Sequence, residues 1–207
     1  NVYTSGKVST GGKPSPLRDL IENWRLAQDN ARANARANTE PAEPDRTSRV
    51  GADEAGKGDY FGPLVVAGVR VLGEEKAREL RRIGARDSKT LGTLGATNLA
   101  RHLLEALGSE NTRVVVLHPR EYEARRRATG NNVSKLLAEV NVQIFEELGS
   151  EVELFVVDEF GKAARSYIEP RLPPGVRLVV RPGAEDDVAV AAASVLARAR
   201  YLEEMEA

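Results

Sequence analysis

Beyond Arg46 the chain alternates between two spacings of apolar residues. In short runs almost every position is apolar: Leu64-Val65-Val66-Ala67-Gly68-Val69, Val114-Val115-Val116-Leu117 and Leu154-Phe155-Val156-Val157. Such runs read as strands, the first of them buried with no charge on either face. Longer stretches carry apolar residues three and four apart, as in Ala77, Leu80 and Ile83, or Leu136, Leu137, Val140, Ile144 and Phe145. These read as helices with one stripe toward a core. In order, the pattern predicts a strand over 65–72, helices over 74–83 and 94–107, a strand over 113–117 and a basic stretch over 120–127. A helix over 134–148, strands over 153–157 and 176–180, and an alanine-rich helix over 189–202 follow. The small residues of that last helix imply close packing. Strands alternating with helices imply an α/β fold, with a mixed or largely parallel sheet flanked by helices.

The first 49 residues have a different texture. Val2-Tyr3-Thr4, a Ser5-Gly6-Lys7 turn and Val8-Ser9-Thr10 read as two strands, and Pro16 opens a helix striped by Leu17, Leu20, Ile21 and Trp24. No apolar face survives past Leu26. Asn, Ala and Arg alternate, and then Thr39-Glu40-Pro41-Ala42-Glu43-Pro44 reads as linker, with a boundary near Arg46.

Composition narrows the chemistry. The chain has 207 residues, 41% of them hydrophobic, enough for one sizeable domain with an appendage. No run approaches the roughly 18 to 20 apolar residues that span a bilayer, so no membrane partner is expected. There are no cysteines, which excludes disulfides and thiolate metal sites and fits a reducing, cytoplasmic location. The only histidines are His102 and His118, so a metal would have to be held by carboxylates. Both histidines read as structural. The net charge of −1 announces no global basic field. Local clusters, such as Arg120, Arg125, Arg126 and Arg127, would have to meet any polyanion, unless they are simply a solvated helix face.

The stretch with most chemical content is Val50-Gly51-Ala52-Asp53-Glu54-Ala55-Gly56-Lys57-Gly58-Asp59-Tyr60-Phe61-Gly62-Pro63. Two adjacent carboxylates end an apolar segment. Neighbouring side chains on a strand point to opposite faces, so a sharp turn at Gly56 and Gly58 is expected to bring both to one point. The turn also lets backbone N–H groups and Lys57 approach a phosphate or sugar. The plainer reading is a hairpin turn with solvated acids. Asp158 ends another strand, and Glu185-Asp186-Asp187 precede a helix. Acids there either join a carboxylate cage suited to Mg²⁺ or Mn²⁺ or simply favour the helix dipole. Two such ions activate water and stabilise a leaving oxygen in phosphodiester cleavage. Asp87, Ser88 and Lys89 offer a hydroxyl and a cation for a backbone phosphate. Asn131 and Asn132 either contact a sugar-phosphate or cap a helix. No Gly-x-Ser-x-Gly elbow, cysteine nucleophile or full-length mononucleotide loop competes.

Together these residues resemble the type 2 ribonucleases H, and within them the ribonuclease HIII branch. The matching pieces are Asp53 to Pro63, Asp87-Ser88-Lys89, Gly130-Asn131-Asn132 before a long helix, Val156-Val157-Asp158-Glu159-Phe160-Gly161, and Ala189 to Arg198. They occur in the family's order over about residues 49–206. The resemblance implies a ribonuclease H-like catalytic domain over 49–207. It implies a linker over 27–48. Residues 1–26 would be the remnant of a small α+β, TATA-binding-protein-like substrate-binding domain, and the chain is expected to lack family residues at both ends. It implies an endonuclease, expected as a monomer, that cuts the RNA strand of an RNA/DNA hybrid with Mg²⁺ or Mn²⁺, leaving 3′-hydroxyl and 5′-phosphate ends. Asp53, Glu54, Asp158 and Glu185 would be the catalytic metal-site acids, with Asp186 and Asp187 open as alternatives for the fourth. Gly56, Lys57, Gly58, Asp87, Ser88, Lys89, Asn131, Asn132 and Ser194 would contact substrate. Ribonuclease HII, incising single ribonucleotides in DNA, and a non-catalytic nucleic-acid-binding module are the alternatives.

Overall fold

The computed structural model describes residues 46–59, 61–85 and 93–206. The strand pair, helix and most of the linker expected before Asp45, and the Asp87-Ser88-Lys89 segment, lie outside the described residues. Five strands form one sheet in the order β3-β2-β1-β4-β5, with β1 Arg49–Ala55, β2 Leu64–Val71, β3 Thr112–Leu117, β4 Leu154–Asp158 and β5 Arg177–Arg181. The sheet is mixed. The pairs β1–β2 and β2–β3 are antiparallel, while β1–β4 and β4–β5 are parallel. The helices are α1 Gly73–Ile83, α2 Thr93–Leu107, α3 Pro119–Ala128, α4 Val133–Leu148, α5 Ala164–Ile168 and α6 Val188–Glu206. Every strand and helix expected after Val50 is present, within a few residues at the ends. Two features extend the expectation: the basic stretch is itself a helix, α3, and α6 runs on to Glu206.

Strict alternation sends successive side chains to two cores. On one face Val50, Ala52, Leu64, Val66, Phe155 and Val157 pack with Leu136, Leu137, Val140 and Ile144 of α4. On the other face Val65, Ala67, Val69 and Val71 pack with Leu80, Leu103 and the alanines of α6. Leu154, Val156 and Val190 extend that second face. The central strands are therefore apolar on both sides, which is why they read as unbroken runs rather than alternations.

Helix α6 crosses β1 so closely that a side chain at Gly51 has no room. An added Cβ would stand 2.4 Å from the backbone atoms Ala189 C and Val190 N. Backbone cannot swing aside as a side-chain tip can. Gly51→Ala is therefore expected to destabilise by about 3 kcal/mol, at the upper end of core overpacking. Urea unfolding checks this, and a loss below about 0.5 kcal/mol would mean that α6 can shift freely.

Candidate active site

The acids meet through strand register. The paired positions of parallel neighbours β1 and β4 run up to Ala52↔Val157. The next residue on each strand is a carboxylate, Asp53 and Asp158. Asp53 shares a face with Gly51, Asp158 with Leu154 and Val156, and both of these lie under α6. Two acids thus stand at the ends of adjacent strands on the same side of the sheet. Glu54, one residue on, belongs to the α4 face. The antiparallel ladder continues through Asp53↔Ala67, Glu54↔Val66 and Ala55↔Val65, so β1 stays regular past the acid pair. The expected sharp bend does not gather the pair. The glycine turn begins only after Ala55, and Asp53 finds its same-face neighbour on β4.

Each carboxylate is held. Asp53 is 8% exposed, its Oδ1 accepts from the Glu54 N–H at 2.8 Å, and the Ser194 hydroxyl of α6 hydrogen-bonds to it. Ser194 is thereby tied to an acid, not directed outward. Asp158 Oδ1 accepts from the Ala184 N–H at 2.8 Å. Lys57 Nζ lies 3.3 Å from Glu54 Oε1 and also donates to the Phe160 carbonyl. Burial, then the charges of Glu54 and Asp158, push the Asp53 carboxyl up to about 8. Burial also raises Glu54, with Lys57 opposing and Asp158 adding to the rise.

The late trio separates into three environments. Ala184–Asp186 is a single 3-10 turn between β5 and α6. Asp187 is 1% exposed and its Oδ2 lies 2.5 Å from Nη1 of Arg49, itself fully buried. Its Oδ1 accepts from the Ala189 N–H at 2.9 Å, so it also caps α6. Asp186 is exposed and pairs with Arg181. Glu185 is half-buried on the turn whose Ala184 N–H is bonded to Asp158. Among the described residues, no three His, Asp or Glu side chains stand close enough in this arrangement to enclose an ion. The donor set nonetheless suits a hard cation: it is all oxygen, and burial raises two of its members, Asp53 and Glu54, above the ordinary carboxylate range.

A family model described as ribonuclease HII matches residues 50–207. This chain belongs to the ribonuclease HII family. Curated relatives named ribonuclease HIII are similar to it throughout. The one from Chlamydia muridarum is 31% identical over 99% of this chain and 66% of its own length. That from Protochlamydia amoebophila is 30% identical over 99% and 66%. The chain thus spans about two thirds of the relatives it matches. Among solved structures, Bst ribonuclease HIII in complex with Mn²⁺ is 31% identical with a TM-score of 0.67, covering 81% of this chain and 57% of that one. Ribonuclease HII from Archaeoglobus fulgidus, solved with PCNA, is 31% identical with a TM-score of 0.66, covering 76% and 73%. The described sheet and its flanking helices have the ribonuclease H-like architecture of these relatives.

The other described candidates of this ribonuclease HII family member have varied surroundings. Gly56, Lys57 and Gly58, with Asp59, Gly62 and Leu64, form one wall of a small cleft completed by Tyr122 of α3 and Val133 of α4. Asn132 caps α4, its Oδ1 accepting from the Lys135 N–H at 3.0 Å, while Asn131 is exposed with a φ of 62°. On α3 three of the four arginines meet acids of the same helix, Arg125 with Glu121 at 2.8 Å, and Arg126 and Arg127 with Glu123 at 2.9 and 2.8 Å, while Arg120 is exposed near its start. That is a solvated helix face more than a free basic track. His118 is exposed beside Glu204 and His102 is exposed on α2. Arg49, which decides the fate of Asp187, was not singled out from sequence. A charged residue opening an apolar strand was the available signal.

Proposed function

We propose that this chain carries the catalytic unit of an endonuclease that hydrolyses the RNA strand of RNA/DNA hybrids, giving 3′-hydroxyl and 5′-phosphate ends. The observation that carries the proposal is the same-face register of Asp53 and Asp158, with Glu54 beside them on β1. Residues 49–207 are the catalytic domain, 27–48 the linker and 1–26 part of a substrate-binding appendage. Asp53, Glu54, Asp158 and Glu185 are the residues that would hold Mg²⁺ or Mn²⁺. Such an ion, when bound, activates water and stabilises the leaving oxygen of the phosphodiester. The chain's own work is placement. Ser194 and the Glu54 N–H orient Asp53, and the Ala184 N–H orients Asp158. Gly56, Lys57 and Gly58 present amides and an ammonium to the RNA ribose and phosphate, where the 2′-hydroxyl tells RNA from DNA. Asp87, Ser88, Lys89, Asn131 and Asn132 are further substrate contacts in this reading.

The test is cleavage of an end-labelled RNA strand in a hybrid with Mg²⁺ or Mn²⁺. Hybrid binding without cleavage at any concentration of either ion would leave only a binding module. The match to a ribonuclease HII model favours one second reading, incision at single ribonucleotides in DNA. Faster cutting of a duplex with one embedded ribonucleotide than of an all-RNA hybrid would select it.

Glu185 is the fourth acid of the proposed site because it stands on the turn whose Ala184 N–H is bonded to Asp158, whereas Asp187 lies buried against Arg49. Glu185→Gln is expected to slow cleavage about 100-fold, a loss of the size of one charged ligand to the reacting site. Asp186→Asn should stay within about three-fold. The reverse ranking would reassign the ligand.

The raised Asp53 carboxyl has a thermodynamic consequence. Its ordinary value is 3.8 and its folded value about 8, so between these the folded chain holds more protons than the unfolded one. Stability in chelator is therefore fullest at low pH and falls as pH rises through that window. A cation on these carboxylates competes with the proton, so its stabilising effect grows with pH. Melting curves from about pH 5 to about pH 8, in chelator and with Mn²⁺, are expected to diverge steadily. Parallel curves would mean that Asp53 is neither raised nor liganded.

A further inference from the structure

Asp59 belongs to the turn after β1, yet it takes no part in the acid cluster. Its carboxylate organises the turn instead. Tyr201, on α6, donates its hydroxyl to Asp59 Oδ2. The other oxygen accepts from the Phe61 N–H at 3.1 Å and the Gly62 N–H at 3.4 Å, and the Asp59 N–H closes onto the Gly56 carbonyl at 3.0 Å. The Tyr201 ring lies directly against the same backbone. A Cβ at Gly56 would stand 2.8 Å from ring carbon Cδ2, and one at Gly62 2.9 Å from Cε2. Gly56 has a φ of +81°, so that position rejects a side chain for conformation as well as for space. The bond to Asp59 raises the Tyr201 hydroxyl above its ordinary pKa, as expected for a proton shared with a carboxylate. Ser194 and Tyr201 lie seven residues apart on α6, about two turns, and so on one face. One helix therefore touches Asp53 at one level and the glycine turn at the next.

We infer that Tyr201 is a positioning residue that sets the glycine turn, its ring seated against Gly56 and Gly62 and its hydroxyl on Asp59, so that Lys57 and the turn's amides meet the substrate backbone in a fixed attitude. What the turn binds rests on the function proposed above, whereas the rigidity of the turn does not. The acids stand on β1, β4 and the turn before α6, so loosening the glycine turn weakens capture of substrate more than the chemical step. The effect belongs in KM, not in kcat.

The experiment compares Tyr201→Phe, Asp59→Ala and the double variant, reading hybrid KM and kcat, melting temperature, and backbone order parameters at Gly58, Phe61 and Gly62. Tyr201→Phe keeps the ring and removes only the hydroxyl bond. It is expected to raise KM about five-fold, the scale of one hydrogen bond, with kcat within about two-fold and lower order parameters. The double variant should be no worse than Asp59→Ala, because both break one contact. Unchanged KM and order parameters in Tyr201→Phe, or fully additive losses in the double variant, would overturn the inference. If the parent protein neither binds nor cuts hybrid, the proposed function falls. The order parameters then decide this inference alone: a drop supports it and no change overturns it.

Discussion

Asp158→Asn is expected to yield a folded protein whose cleavage of hybrid falls by about 10³-fold or more. The substitution keeps the side chain's shape and an oxygen that can still accept from the Ala184 N–H. What it removes is the negative charge beside Asp53. A neutral amide is a poor ligand for a hard dication, and charge stabilisation by such an ion is worth several kcal/mol at the transition state. At 1.36 kcal/mol per factor of ten, about 4 kcal/mol is a thousand-fold. Stability should move the other way. Asp158 is one of the charges that raise Asp53, so removing it relieves repulsion between neighbouring carboxylates. The melting temperature in chelator should hold or rise while activity vanishes. That opposed pair of readouts separates a lost ligand from a damaged fold. Turnover within ten-fold of the parent would remove Asp158 from the site.

The second large effect concerns stability and should leave chemistry alone. Asp187→Asn is expected to cost about 3–5 kcal/mol, because it removes the carboxylate charge that meets the buried Arg49 guanidinium at 2.5 Å. For a chain of this size that lowers the melting temperature by about 10 °C or more. Adding Arg49→Met should recover most of the loss, since neither charge then remains to be compensated. Below its melting temperature the Asp187→Asn protein should cut at near the parent rate, because its carboxylate serves the junction of β1 and α6. A drop in stability under about 1 kcal/mol would mean that water reaches the pair. A large loss of activity in the well-folded double variant would bring Asp187 back as a ligand.

The acids show where reading a sequence succeeds and where it stops. Asp53 and Asp158 stood out because a strand apolar on both faces has no local use for a charge at its end. The bend expected at Gly56 and Gly58 was to bring Asp53 and Glu54 to one point, but β1 stays regular past both, and parallel register with β4 gives Asp53 a same-face neighbour in Asp158 instead. The three consecutive acids after Gly183 were indistinguishable as letters. One is fixed by Arg49, 138 residues earlier in the chain, and another by Arg181. Asn131 and Asn132 likewise divide into an exposed residue and a helix cap only once α4 is in place.

The order of strands and helices, the two-sided burial of the central strands and the oxygen-only chemistry of the site followed from the sequence alone. They depend on local periodicity and on which side chains exist at all. Tertiary structure decided which acids are neighbours, which is buried against an arginine, and that Tyr201 reaches back to the glycine turn. Those outcomes depend on register between strands distant in the chain, and on how closely α6 lies across Gly51, and no local pattern of residues encodes either.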